Sequence, residues 1–410
     1  MVKKHSAILR EFICGSRYFF RTLRCAIYVT QNTKDMKQAN PFLIYGYVSP
    51  EYFCDRKKET NRILSALENE RNLTLIAPRR MGKTGLIRNT FYRMAQTHPD
   101  VRCFYMDIYP TRNLNDFVSL LGQTVLGQVD SFSQNLLRQI STFFKSCRPV
   151  INVNETNGMP SISLEIVPNQ EHQTLKEIFD YLVASERKCY VAIDEFQQIT
   201  EYPEEGIEAL LRSYTQFTPN VHFIFAGSKQ HIMTEMFASA KRPFYQSTQM
   251  MALAEIDESL YYDFANDFFR KENRTLACEG FRYIYQKFGG HTWYIQSVLN
   301  RMYSYKDSAI ALNEVHTAIR EILCESEFMF QNYLALLTDN QAKLLKAIAK
   351  EEPVSAINSG EFIGKHKLKA VSSVNTALKT LINKELIYKS DMGYIVYDRF
   401  FGQWLREQPF

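Results

Sequence analysis

The residues best equipped for chemistry are Ala77-Pro78-Arg79-Arg80-Met81-Gly82-Lys83-Thr84, set between an apolar run and a helical pattern. At such a place, successive backbone N–H groups and the positive end of the following helix can surround phosphate oxygens, and Gly82 lets the backbone come close. The run has the form of a Walker A loop with Ala77 in place of the first glycine. In that form the stretch from Ala77 to Gly85 cradles a nucleotide, Lys83 reaches the β and γ phosphates, and the Thr84 hydroxyl ligates Mg²⁺. A basic turn that merely caps a helix is the competing reading.

About 110 residues further on, Tyr190-Val191-Ala192-Ile193-Asp194-Glu195 is an apolar strand ending in two acids, as in a Walker B segment. Asp194 would hold Mg²⁺ through its water shell and Glu195 would act as general base on the attacking water. A third apolar strand ends in Ala226-Gly227-Ser228, where Ser228 can sense the γ-phosphate or the attacking water, or else cap the next helix. The expected catalytic set is therefore Glu195, Lys83 and Ser228, with Thr84 and Asp194 on the metal.

Positioning these groups requires strands that alternate with helices. Strand-like runs at 73–77, 101–108, 189–193, 221–226 and 250–256 are separated by helical patterns at 82–97, 113–145 (as two helices), 171–186, 204–216 and 228–238. That order predicts an α/β fold with a mostly parallel five-stranded sheet covered on both faces. Residues 149–168 read as a β-hairpin inserted around Asn157-Gly158. Beyond Ile256 the strands stop, and helices are expected at 258–272, 278–288, 291–304 and 310–326. From Thr338 on, helices at 339–350, 359–366 and 371–384, then strands at 386–389 and 394–397, follow the order of a winged helix-turn-helix. The expected layout is a basic extension (1–35), a core (36–256), a helical lid (257–330) and a winged helix (331–410).

The chain has 410 residues, 45% hydrophobic and 23% charged, which suits two to three folded domains and excludes a disordered or collagen-like chain. Its net charge of +5 sits entirely in residues 1–35, with seven basic and two acidic side chains, leaving 42 of each sign in the remainder. Met36 opens a run resembling a domain start, so a mis-assigned upstream start codon is the preferred account of 1–35; a basic arm touching membrane or nucleic acid is the alternative. No run of about 18 apolar residues occurs, so no membrane span is expected. The eight cysteines show no CxxC pair, which argues against a zinc site or disulfide framework and points to the cytoplasm.

Taken together, six motifs carry a resemblance: Phe53-Cys54-Asp55-Arg56-Lys57-Lys58-Glu59, the loop, Ile193-Asp194-Glu195, Ala226-Gly227-Ser228, Lys241-Arg242-Pro243-Phe244-Tyr245 and Gly289-Gly290-His291-Thr292-Trp293-Tyr294. In order and spacing the chain resembles the archaeal-type P-loop ATPase family, in the STAND and initiator-like branches of the AAA+ superfamily, where a C-terminal winged helix is usual. The resemblance implies that Arg56 and Glu59 pack near the adenine. It also implies that Gly289 and Gly290 open a lid motif, in which Thr292 stands where the family writes proline. Arg79, Arg80 and Arg242 are candidates for a phosphate-reaching arginine, each with an ordinary ion-pair role as the alternative.

The expectation is an ATP- and Mg²⁺-dependent ATPase switch that couples nucleotide state to the winged helix and can self-associate with nucleotide. The alternative is a DNA-binding regulator or replication-type protein that keeps ATP as a structural ligand. Duplex DNA would meet Lys365, Lys367, Lys369 and Lys379 beside the helix 371–384, although 339–410 carries only eleven basic against eight acidic residues. The terminal Phe400-Phe401-Gly402-Gln403-Trp404-Leu405 has the spacing of a packed helix.

Overall fold

The computed structural model describes residues 39–127, 143–153, 160–390 and 392–408. The basic stretch 1–35, the second helix expected in 113–145, the Asn157-Gly158 turn and Asp391 in the wing turn lie outside them. The chain divides into two compact units at Ile256/Asp257.

In the first unit the order is α1 (Lys57–Glu68), β1 (Leu73–Ile76), α2 (Lys83–Thr97), β2 (Arg102–Asp107), α3 (Leu114–Leu126), β3 (Cys147–Val153), β4 (Pro160–Ile166), α4 (Glu171–Ala184) and β5 (Cys189–Asp194). After β5 come a 3₁₀ turn (Phe196–Glu201), α5 (Ile207–Phe217), β6 (Val221–Gly227), α6 (Gln230–Ala238) and β7 (Gln249–Ala252). The sheet runs β2-β5-β6-β1-β7 with every neighbouring pair parallel. Central strands β5, β6 and β1 are buried at every residue, whereas the edge strands are only partly so. That explains why the centre reads as unbroken apolar runs.

Side chains alternate between two cores, as the two-residue period of a strand requires. Tyr190, Ala192, Ile224 and Ala226 face Ile63 and Leu67 of α1 and Leu86 and Ile87 of α2. Val191, Ile193, Phe223 and Phe225 face α3, α4 and α6. The inserted β3–β4 ribbon is antiparallel, and Leu164 packs on Gly122 of α3.

The second unit begins with α7 (Glu258–Lys271), β8 (Thr275–Leu276), α8 (Cys278–Lys287), α9 (Thr292–Tyr303), β9 (Ala309–Ile310) and α10 (Leu312–Ala335). Two features depart from expectation. A two-residue parallel ladder, β8 with β9, buries Leu276 and Ile310 among the helices, too short to leave a periodic signal. Helix α10 continues nine residues past 326, because nothing in 327–335 breaks it and Phe330 is buried against the following region. The winged helix then comprises α11 (Asp339–Glu351), α12 (Gly360–Lys365), α13 (Val371–Asn383), β10 (Ile387–Ser390), β11 (Gly393–Val396) and α14 (Arg399–Glu407). Asp398 caps α14 by accepting from the backbone N–H groups of Phe400 and Phe401. No helix among the described residues is long and apolar enough to cross a membrane.

Candidate functional site

Because β1, β6, β5 and β2 are parallel neighbours, their carboxyl ends bring together the loop 77–82, Ser228, Asp194-Glu195 and Asp107, where open α/β sheets take ligands. The loop reaches α2 through Arg80 at φ 66° and Gly82 at φ 93°. The left-handed backbone at Gly82 is one that a side chain would strain, and it turns the amides toward the helix start. Arg56, 2% exposed, holds the loop from behind: it donates to Ala254 O at 2.5 Å, to Met81 O at 3.4 Å and to Glu59 at 3.0 Å. Its guanidinium thus braces backbone carbonyls. Ala77 N donates to Gly227 O at 3.3 Å, and Phe53 packs against Gly85. Arg79 lies over the ring of Tyr109, which follows β2.

Three contacts join the expected chemical groups. Thr84 Oγ1 donates to Asp194 Oδ2 at 2.7 Å. Lys83, 6% exposed, has its Nζ 3.6 Å from Glu195 Oε1. Ser228 Oγ donates to Glu195 Oε2 at 2.6 Å, while α6 starts without a side-chain cap. Of its two readings, therefore, the hydroxyl belongs to the acidic cluster rather than to the helix end.

Glu195 occupies left-handed backbone at φ 55°, a conformation that costs of order 1–3 kcal/mol in a non-glycine residue. Phe196, fully buried, packs at 4.5 Å from Phe225 and 5.4 Å from Phe244. Burying that ring contributes about 1.5–3 kcal/mol, enough to hold the turn. Burial alone would raise the Glu195 pKa, but the Lys83 charge, hydrogen bonds from Ser228 and Gln197, and the Arg79 charge leave it below the usual range. Glu195 is an anion at neutral pH. Asp107, paired in register with Asp194, is instead raised by burial and by the Asp194 and Glu195 charges, despite a hydrogen bond from Tyr109 N.

Three of these side chains escaped the sequence reading. Tyr105 donates to Asp194 Oδ2 at 2.9 Å, its phenol kept protonated by burial and the Asp194 charge. Its signal was the alternation of β2, which puts Tyr105 and Asp107 on one face. Asp107 itself is the second. Gln197 donates to Glu195 Oε2 at 2.5 Å; only the turn after Glu195 brings it back, and no motif announces that.

The donor set fits ATP and Mg²⁺. Hydroxyl and carboxylate oxygens at Thr84 and Asp194 are hard ligands. The nearly buried Lys83 ammonium has its carboxylate beyond hydrogen-bond length and can serve an anion. Elsewhere, Arg242 pairs with Glu208 and Glu235. Lys365 pairs with Glu351 at 2.6 Å, whereas Lys367, Lys369 and Lys379 are exposed and have no ion pair among the described residues. Trp293 packs on Tyr294 and Phe400.

Fold and site together define an α/β P-loop NTPase followed by a helical region and a winged helix. The profile of the "ATPase domain predominantly from Archaea" matches residues 53–298, and the chain belongs to that family. The profile of a "probable winged helix domain" matches residues 328–407. No curated protein matches the sequence. Among solved structures, the chain is similar to the Walker-type ATPase PABY2304 of Pyrococcus abyssi, with TM-score 0.60 and 16% identity over 89% of this chain and 99% of that one. It is also similar to the Aeropyrum pernix ORC1 protein in complex with DNA, with TM-score 0.51 and 14% identity over 91% and 97%. At these identities the likeness is one of fold.

Proposed function

We propose that the protein is a Mg²⁺-dependent ATPase of AAA+ type, working as a slow cytoplasmic switch whose nucleotide state is coupled to its winged helix. The observation that carries this reading is the convergence of Lys83, Thr84, Asp194, Glu195 and Ser228 at adjacent strand ends, with one ion pair and two hydrogen bonds among them. The stretch from Ala77 to Gly85 cradles the phosphates, and Lys83 is the cation for the β and γ groups. Thr84 and Asp194 hold Mg²⁺, which supplies neutralisation of phosphate charge. Glu195 accepts a proton from the attacking water as the water oxygen bonds to the γ-phosphorus and the bond to ADP breaks. Ser228 orients Glu195.

Coupling is supported inside the second unit. The motif Gly289 to Tyr294 opens α9, and the Tyr294 hydroxyl accepts from Arg399 N of α14 at 3.0 Å. The rings of Phe288, Trp293 and Tyr294 surround Phe400 at 5.1 to 6.0 Å. A helix of the winged domain is thereby clamped to the lid motif. The proposed layout remains core 36–256, lid 257–330 and winged helix 331–410.

ATP turnover of the wild type, Lys83→Ala and Glu195→Gln tests the reading. Glu195→Gln should lose about 10²-fold or more with ATP binding retained, and Lys83→Ala should lose binding. Equal turnover in all three would sink it. A second reading, a DNA-binding regulator that keeps ATP as a structural ligand, is favoured by the three unpaired lysines beside α13. The size of the protein with and without ATP, Mg²⁺ and DNA reports self-association.

A further inference from the structure

The proposed chemistry needs Glu195 to present one oxygen to water while the rest of the carboxylate stays fixed. We propose that Gln197 is the positioning residue that fixes it, and that Gly227 is a glycine in order to admit Gln197. The kinetic part of this inference rests on the proposed hydrolysis; the structural part does not.

The left-handed turn at Glu195 starts the 3₁₀ segment and folds residue 197 back alongside residue 195. Gln197 Nε2 and Ser228 Oγ then reach the same oxygen, Oε2, at 2.5 and 2.6 Å. A carboxylate oxygen has two lone pairs, so Oε2 is filled, and Oε1, with Lys83 3.6 Å away, is left as the acceptor for a water proton. The opposite amide orientation would set Gln197 Oε1 against a carboxylate, so charge decides the assignment.

The rest of Gln197 shows that packing is not its purpose. The residue is 3% exposed, and its Oε1 is buried without a hydrogen-bond partner among the described residues. A leucine or methionine would fill the same volume without that unsatisfied oxygen, so what the amide adds is its donor. Space for it comes from β6. A Cβ on Gly227 would lie 2.5 Å from Gln197 Oε1 and 2.5 Å from Met233 Sδ, and Met233 is itself fully buried. The Ala226-Gly227-Ser228 motif therefore does two jobs: its serine touches the carboxylate, and its glycine makes room for the other side chain that does.

Gln197→Met keeps length and volume and removes the donor; Gly227→Ala pushes the amide away. For both we expect kcat to fall about ten- to a hundredfold, the weight of one hydrogen bond to a charged group, with KM and the affinity for a fluorescent ATP analogue changed less than about twofold. In a Glu195→Gln background, Gln197→Met should add almost nothing. Parallel loss of kcat and nucleotide affinity, or unchanged kcat, would overturn the inference. Independently of turnover, thermal unfolding of Gln197→Met, Glu195→Ala and the double variant should show non-additive stability changes. Additive changes would overturn it even if the wild type proved inactive, whereas absent turnover with clear coupling would overturn only the hydrolysis reading.

Discussion

The ends of the central strands and the face of α13 are both polar, yet they are built by opposite rules. At the strand ends Lys83, Asp194 and Ser228 are 6%, 3% and 8% exposed, and each is held by another member of the cluster. Beside α13, Lys367, Lys369 and Lys379 are exposed, with no ion pair among the described residues. The first arrangement fixes donors and acceptors before a ligand arrives, which suits one small anion in one geometry. The second offers charge on flexible stems, which suits a long polyanion and depends on salt. In the proposed coupling, the winged helix is reached through the packing that ties α14 to the motif Gly289 to Tyr294.

The largest expected effect is at that join. Phe400 is 3% exposed among Phe288, Trp293 and Tyr294, so Phe400→Ala should destabilise the second unit by about 3–5 kcal/mol. Phe217→Ala, at the 74% exposed end of α5, should stay within about 0.5 kcal/mol. Calorimetry of both variants checks the pair; a Phe400→Ala protein melting like the wild type would mean that α14 is not clamped.

A smaller change is expected for Tyr105→Phe, which leaves the ring under Arg88 and removes only the hydroxyl on Asp194. If Asp194 holds Mg²⁺ as proposed, loss of such a partner behind it should raise the Mg²⁺ concentration required about tenfold, at the low end for outer-shell groups. The Mg²⁺ concentration that half-restores binding of a fluorescent ATP analogue measures it; an unchanged midpoint would show that Asp194 needs no second donor.

Legibility in the sequence follows the same division. Strands β1, β5 and β6 were readable because burial on both faces makes them continuous apolar runs, and the loop was readable because phosphate binding requires glycine and lysine at fixed places. Tyr105 and Gln197 were not, since each contributes a single hydrogen bond that exists only once a neighbouring strand or turn is in place. Helix α10 is longer than its sequence pattern predicts because its exposed second half, with Phe328 77% and Met329 40% exposed, lacks the one-sided apolar stripe that marks a packed helix. The lysine cluster looked uniform in sequence, and only the fold showed Glu351 of α11 reaching Lys365.

That inequality among the lysines gives the smallest and most discriminating prediction. If duplex DNA binds this face, each free lysine that meets a phosphate releases counterions, and its removal should lower the slope of log affinity against log salt by about one. Lys367→Ala, Lys369→Ala and Lys379→Ala should each do so. Lys365→Ala should do less, because its charge is already shared with Glu351 at 2.6 Å. Glu351→Gln should reverse the order by freeing Lys365 and tightening binding at low salt. Titrations of a short duplex at several salt concentrations separate the cases. Equal slopes for all four lysine variants would show that the ion pair opens on contact, and salt-independent or absent binding would leave the winged helix to an intramolecular role.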